Sequence, residues 1–196
     1  MKQMTIAVLL FFFGIALNAQ STKWNVDEAH SKISFSVTHM MITDVEGKFN
    51  KYEAEIISDK NDFSDAKVNF KIDVKSIDTD NDKRDDHLRS PDFFDSDKFH
   101  YITFISDKMT KKSKGKYKLS GDFTMLGVTK KIILDVTYNG MKNDPWGNLR
   151  AGFKISGTIN RNDWGLKYNS ALDAGAVMIG EEVEILCNLE LIKATK

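Results

Sequence analysis

The feature that most constrains this chain is a two-residue beat. Residues 66–74 place Ala66, Val68, Phe70, Ile72 and Val74 on one side of a strand, with Lys67, Asn69, Lys71 and Asp73 on the other. Successive side chains of a strand point to opposite faces, so the beat means one buried face and one wet face. Residues 32–39 repeat it, with Ile33, Phe35, Val37 and His39 set against Lys32, Ser34, Ser36 and Thr38. A sheet patterned this way must cover its apolar face, and closing into a barrel does so while removing its edges. The expected fold is all-β: an antiparallel up-and-down barrel of about eight strands, an interior wide enough for one small ligand.

The beat continues along most of the chain. The run Val45, Gly47, Phe49 changes phase to Tyr52, Ala54, Ile56, which predicts a β-bulge at Asn50 or Lys51. Strand resumes at 101–106. Tyr117, Leu119, Gly121, Phe123 and Met125 share a face, and so do Ile132, Leu134, Val136 and Tyr138, with Leu126, Gly127 and Val128 as the tight connection between them. Residues 143–147 read as a turn, by Asp144, Pro145 and Gly147. The next strand carries Ala151, Phe153, Ile155, Gly157 and Ile159, with Arg161 in phase. A loop or short helix at 162–172 leads to a last strand bearing Val183, Ile185, Cys187, Leu189 and Leu191. A short helix is expected near residues 80–90. Thr79 would cap it in a box with Asp82, or Asp80 would cap instead, and Pro91 disfavours helix at Ser90. Phe93 and Phe94 then form an apolar plug. No helix is long enough for a parallel crossover, and no linker or second domain is visible.

The first nineteen residues read as a secretory signal peptide: Lys2 gives a positive start, 6–16 is apolar, and Ala19 precedes the cut. The competing reading is a membrane anchor, but the run is short of the roughly 20 apolar residues a span needs. The domain then occupies 20–196, periplasmic or secreted, with no stable membrane anchor after cleavage. Lys plus Arg equals Asp plus Glu, at 28 each, so nothing marks a nucleic-acid binder. The single Cys187 has no partner for a disulfide within the chain and reads as a small buried hydrophobe.

Signs of chemistry are sparse. The four histidines are His30, His39, His87 and His100, without H-x-x-x-H or C-x-x-C spacing, so no metal is expected. Ser31 beside His30 is not on a G-x-S-x-G elbow, so no catalytic residue is assigned. His39 shares the inner face near a barrel end, where it meets either a ligand headgroup or a neighbouring polar residue. Arg84 and Asp85 are expected either to pair and fix the helix over a barrel end or to lie on a solvated face. Arg161, in phase with apolar residues, needs a carboxylate or backbone partner to be buried. Inward Gly47, Gly121, Ala151 and Gly157 fill little space. Mixed with large residues they either leave a cavity or let the strands coil tightly with none. The residues expected to line a cavity are Ile33, Phe35, Val37, His39, Phe70, Ile72, Phe104, Phe123, Phe153, Ile155 and Trp164.

The chain resembles the YceI-like family of exported, lipocalin-like polyisoprenoid-binding proteins. The stretches that carry the likeness are W-N-V-D-E-A-H-S-K-I-S-F from Trp24, V-E-G-K-F from Val45, R-D-D-H-L-R-S-P-D-F-F-D from Arg84, G-D-F-T-M-L-G-V-T-K from Gly121 and R-N-D-W-G-L from Arg161. It departs at Lys131, where the family often has Pro, and at Trp164, where Phe is common. The resemblance implies a lipocalin-like barrel around a long-chain lipid or isoprenoid quinone, with no other cofactor required and no catalysis. At about 0.8 kcal/mol per buried CH₂, a twenty-carbon chain has a gross burial energy on the order of 15 kcal/mol, offset in part by ordering. Two rivals stand beside the carrier: a lipid- or quinone-modifying enzyme using His39, and a filled barrel acting through protein partners. A homodimer covering an outward Ile133 or Ile192 is a further expectation.

Overall fold

The computed structural model describes residues 21–170 and 177–195; the expected signal peptide lies outside them. Eleven strand segments occur in chain order: β1 Lys23–Val26, β2 Lys32–His39, β3 Thr43–Phe49, β4 Tyr52–Ile57, β5 Lys67–Asp73, β6 Ile77–Asp78, β7 Tyr101–Ser113, β8 Lys116–Met125, β9 Val128–Asn143, β10 Leu149–Asn160 and β11 Ile179–Lys193. One α-helix, α1 at Asp82–Arg89, separates β6 from β7. All pairings are antiparallel, and β11 pairs with β10 on one side and with both β1 and β2 on the other. The ring closes because β1 also pairs with β4, which pairs with β5, and so on round to β11. Segments β1–β2, β3–β4 and β5–β6 each act as one interrupted strand, so the barrel has eight.

Those three interruptions lie side by side. The expected change of phase falls at Asn50–Lys51, as a break between β3 and β4 rather than a one-residue bulge, where Asn50 N donates to Ser76 O and Lys51 N to Ser76 Oγ. Opposite it, the 3-10 turn Val74–Ser76 breaks the next strand, and Glu28–His30 breaks the first. Neighbouring strands that bend together curve the wall without tearing its ladder. A bulge at β9 shifts the register between Gly152 and Phe153.

Two strands depart from the sequence expectation. β1 was not anticipated, yet its Trp24 is core. β7 runs on to Ser113 rather than stopping at 106. Its second half is polar apart from Met109, and its register shifts between Ser106 and Lys108 and again between Lys111 and Ser113. A bulged, mostly wet strand loses the alternation by which strands are recognised.

The helix cap also differs. Asn81, not Thr79 or Asp80, caps α1, its side chain accepting from Arg84 N. Thr79 is occupied elsewhere: its N and Oγ1 donate to the buried Asp85 carboxylate at 2.9 and 2.6 Å, and Arg84 donates to its Oγ1 and O. Arg84 and Asp85 are therefore joined through Thr79 rather than as an ion pair. Arg89 ties the helix to the barrel by donating to Lys75 O and Ile77 O. The helix stops before Pro91, with Ser90 extended.

The inward glycines leave no holes. A Cβ at Gly47 would meet the Phe35 ring at 2.4 Å, at Gly121 the Phe104 ring at 2.6 Å, and at Gly157 the Leu134 side chain at 2.5 Å. Each gap is filled by a neighbouring side chain. The empty space lies along the barrel axis instead.

Candidate ligand cavity

The lower end of the barrel is closed. The loop 58–66 folds beneath it and turns Phe63 inward, at φ 57°, against Trp24 and Phe153, each 4.8 Å away between ring centres. Tyr117 Oη donates to Asp62 O, Tyr138 Oη to Asn61 O and Trp24 Nε1 to Ser58 O, so three inner aromatics grip the loop backbone. The left-handed backbone at Phe63 costs on the order of 1–2 kcal/mol, offset by burying its ring.

Above this plug lies a chamber of about 110 Å³, and above that a second of about 380 Å³. Ile33, Ile72, Ile102, Phe123 and Ile185 line both, and so form the neck between them. The lower wall is hydrocarbon and aromatic except for Thr103, Met109 and Cys187. Cys187 lines this chamber, and burial pushes its thiol pKa up to about 12. The upper chamber reaches the open end, beneath α1 and the segment carrying Phe93 and Phe94. His87, Phe93 and Tyr168 stand together there, with ring centres 4.8–4.9 Å apart.

Of the residues expected to line a cavity, Phe35, Val37 and His39 lie on the upper wall and Phe70, Phe104, Phe153 and Ile155 on the lower. Ile33, Ile72 and Phe123 belong to the neck. Trp164 lines neither chamber. It is buried behind the wall, where its Nε1 donates to Phe123 O and its ring meets the Phe123 ring edge-on at 5.4 Å. Trp164 sits in the 3-10 turn Arg161–Trp164, past the end of β10, so the strand alternation no longer applies to it.

Sequence reasoning left out many further wall residues, among them Val68, Leu119, Leu134 and Val136 on other strands. Val183, Ile185 and Cys187 of β11 share one face by alternation and were legible. Leu88, Phe93, Phe94, Tyr168 and Met178 come from segments without strand periodicity, where pattern carries no facing information.

The polar groups of the upper wall include two arginines and two histidines. Arg161 is 3% exposed and donates to four backbone carbonyls, of Gly180, Leu166, Tyr168 and Ile179. This is the backbone partnership its position in an apolar phase required. Burial pushes its pKa down, with Glu181 opposing the shift. His87 Nε2 lies 3.0 Å from the Asp92 carboxylate.

A second cluster lies away from the cavity. Asp27, His30 and Glu190 bring ligand-type atoms within 4.8 Å of one another. Arg150 Nη1 bridges Asp27, at 2.5 Å, and Glu190, and its Nε pairs with Asp144 at 2.7 Å. A guanidinium stands between the two acids, and the cluster locks the first-strand bend to β10 and β11.

A family profile described as a YceI-like domain matches residues 24–191. The chain belongs to the YceI-like family. A UPF0312 protein of Staphylococcus aureus (strain MSSA476) is 38% identical over 170 residues, covering 86% of this chain and 96% of that one. Among solved structures, Burkholderia cenocepacia BcnA superposes with a TM-score of 0.73 at 25% identity, over 87% of this chain and all of its own. A Campylobacter jejuni YceI protein gives 0.69 at 29% identity, over 81% of this chain and 90% of that one. A polyisoprenoid binding domain from Saccharophagus degradans shares the fold at 15% identity, with a TM-score of 0.65 over 87% of this chain and 98% of its own. This YceI-like barrel is therefore of a kind found in several bacteria.

Proposed function

We propose that this YceI-like protein holds one long-chain amphiphile, a polyisoprenoid or similar chain, inside the barrel, and that it is an exported carrier or sequestering protein rather than an enzyme. The observation that carries this reading is the void of about 380 Å³ continuing through an apolar neck into a second chamber. Small-molecule pockets commonly span roughly 300–1,000 Å³. The walls of both chambers are largely apolar, so a hydrocarbon chain placed there leaves water at a gain of about 0.8 kcal/mol per buried CH₂. Benzene filling an apolar cavity of about 150 Å³ sets a scale of roughly 25 Å³ per carbon, so the upper chamber takes a chain of about fifteen carbons. The S. degradans neighbour, described as polyisoprenoid binding, adds support at the level of the fold.

The enzyme reading has less behind it. Cys187 is held as the protonated thiol in the lower chamber, while His39 lines the upper one, so the two do not form a nucleophile–base pair. Native extraction followed by mass spectrometry of bound lipid tests the proposal. One chain amphiphile per barrel is expected. Protein that emerges lipid-free and then fails to take up added isoprenoid would sink it. Export predicts a mature N-terminus at Gln20; a mature protein that keeps Met1 contradicts that part.

A further inference from the structure

The outer surface of the closed end is basic. Residues 108–118, which span the turn between β7 and β8, hold six lysines and no acid, in a chain whose totals balance at 28 each. Lys111 pairs with Asp62, Lys118 pairs with Asp135, and Lys116 donates to Thr137 Oγ1. Lys112 and Lys114, exposed at the tip, have no side-chain partner among the described residues. Lys111 and Tyr117 both reach Asp62 of the plug loop, which fixes this hairpin at the closed end. That loop adds the exposed Lys60, and its acids are engaged: Asp59 accepts from Thr22 N, and Asp65 from Ser58 Oγ and two backbone N–H groups. The neighbouring hairpin, β9–β10, carries the exposed Lys142 and then Trp146, which is 80% exposed. Asp144 between them is held by Arg150. The far side of the barrel has the opposite sign. Residues 39–47 and 177–190 hold no Lys or Arg, while Asp44, Glu46, Glu181 and Glu182 are exposed there.

We propose that the closed end is a docking surface for an anionic lipid membrane, with Lys112, Lys114 and Lys116 set against the lipid phosphates and Trp146 in the headgroup layer. Basic side chains near an anionic leaflet are attracted to it, and the attraction fades within a Debye length of about 8 Å. Only the end that touches the membrane therefore counts, and the balanced total charge does not oppose binding. A long polyanion would also meet the acidic far side. An indole is apolar in body and polar at its N–H, which suits the boundary between water and lipid. None of these residues lines either chamber, so docking stands apart from the chain-binding reading and leaves the open end clear of the surface.

The test is co-sedimentation of the mature protein with vesicles, read together with tryptophan fluorescence. Vesicles of equal parts phosphatidylcholine and phosphatidylglycerol are compared with vesicles of phosphatidylcholine alone. The anionic vesicles are expected to bind at least about tenfold more tightly, and the difference should vanish in about 0.5 M salt. Trp24 and Trp164 are 4% and 3% exposed, so a blue shift of the emission on binding reports Trp146. Lys112→Ala, Lys114→Ala and Lys116→Ala together should lower affinity for anionic vesicles about thirtyfold. Trp146→Ala should weaken binding less and remove the blue shift. Lys83→Ala, Lys98→Ala and Lys167→Ala together, exposed lysines outside the two hairpins, should leave affinity within about twofold of the parent. Equal binding to both kinds of vesicle overturns the proposal. So does anionic-vesicle binding that survives in a triple hairpin variant whose thermal melt matches the parent, or a control variant that loses as much. Binding to a DNA oligonucleotide without binding to vesicles would mean a general polyanion site and also overturns it. Should the triple hairpin variant not fold, the parent decides: binding to anionic vesicles without a blue shift would mean that another face docks.

Discussion

At the lower end of this barrel a loop turns Phe63 into the bore, where Trp24, Tyr138 and Phe153 close round its ring. At the upper end the chain leaves the wall after β6, makes α1, and rejoins at β7, so Phe93 and Phe94 arrive from outside the strand pattern. The lower end is sealed by packed aromatics whose polar atoms are spent on the loop backbone. The upper end is framed by a helix and loops, and its cations face the space. A barrel closed at one end and framed at the other is a one-ended vessel. That asymmetry orders what substitutions should do.

Phe63→Ala should have the largest effect. Removing a fully buried ring costs about 3–5 kcal/mol, which a denaturant melt will show, and it should let water into the lower chamber. A melt unchanged within error would mean that Phe63 is not the seal. Cys187 comes next. A thiol whose pKa is raised to about 12 stays protonated throughout the neutral range, and its thiolate fraction grows about tenfold per pH unit up to that value. Alkylation by N-ethylmaleimide at pH 8 should run about a thousandfold slower than for an ordinary exposed cysteine. Rapid modification of the folded protein would mean that the lower end is open. Phe123→Asp places a carboxylate in the neck and should weaken chain uptake by at least about a hundredfold, or about 2.7 kcal/mol. Lipid retained at parental levels in this variant, read by mass spectrometry, would show that the neck is not on the ligand's path. His39→Ala, at the rim, should lower affinity only about threefold, the scale of one exposed polar contact. A loss as large as that of Phe123→Asp would shift the weight of binding from the tail to the headgroup.

Much of the barrel was legible because a strand with one buried face declares that face in its spacing. Ile33, Phe35, Val37 and His39 reach the cavity wall together, and so do Phe70 and Ile72, with no help from tertiary context. The break at Asn50–Lys51 was legible for the same reason, as a change of phase. Trp164 shows where that reasoning stops. It is out of phase with the inward Ile159 and Arg161, and the 3-10 turn that carries it sets the indole behind Phe123. The cap on α1 was misplaced because Thr79, a good cap by residue type, is drawn into the buried Asp85 network by contacts across the end of the barrel.

Alternation, balanced charge and a lone cysteine were enough to determine a closed antiparallel barrel with an oily interior. They were silent on whether that interior is empty, because the same inward glycines and aromatics serve a packed core or a hollow one. Tertiary structure decided that question. Phenyl rings lie over Gly47 and Gly121, so the void runs along the axis, narrows at a neck and ends at Phe63. It also brought Arg84, from a helix, and Arg161, from the end of a distant strand, onto one wall, since only the folded path of the chain sets which loops meet over a barrel's mouth.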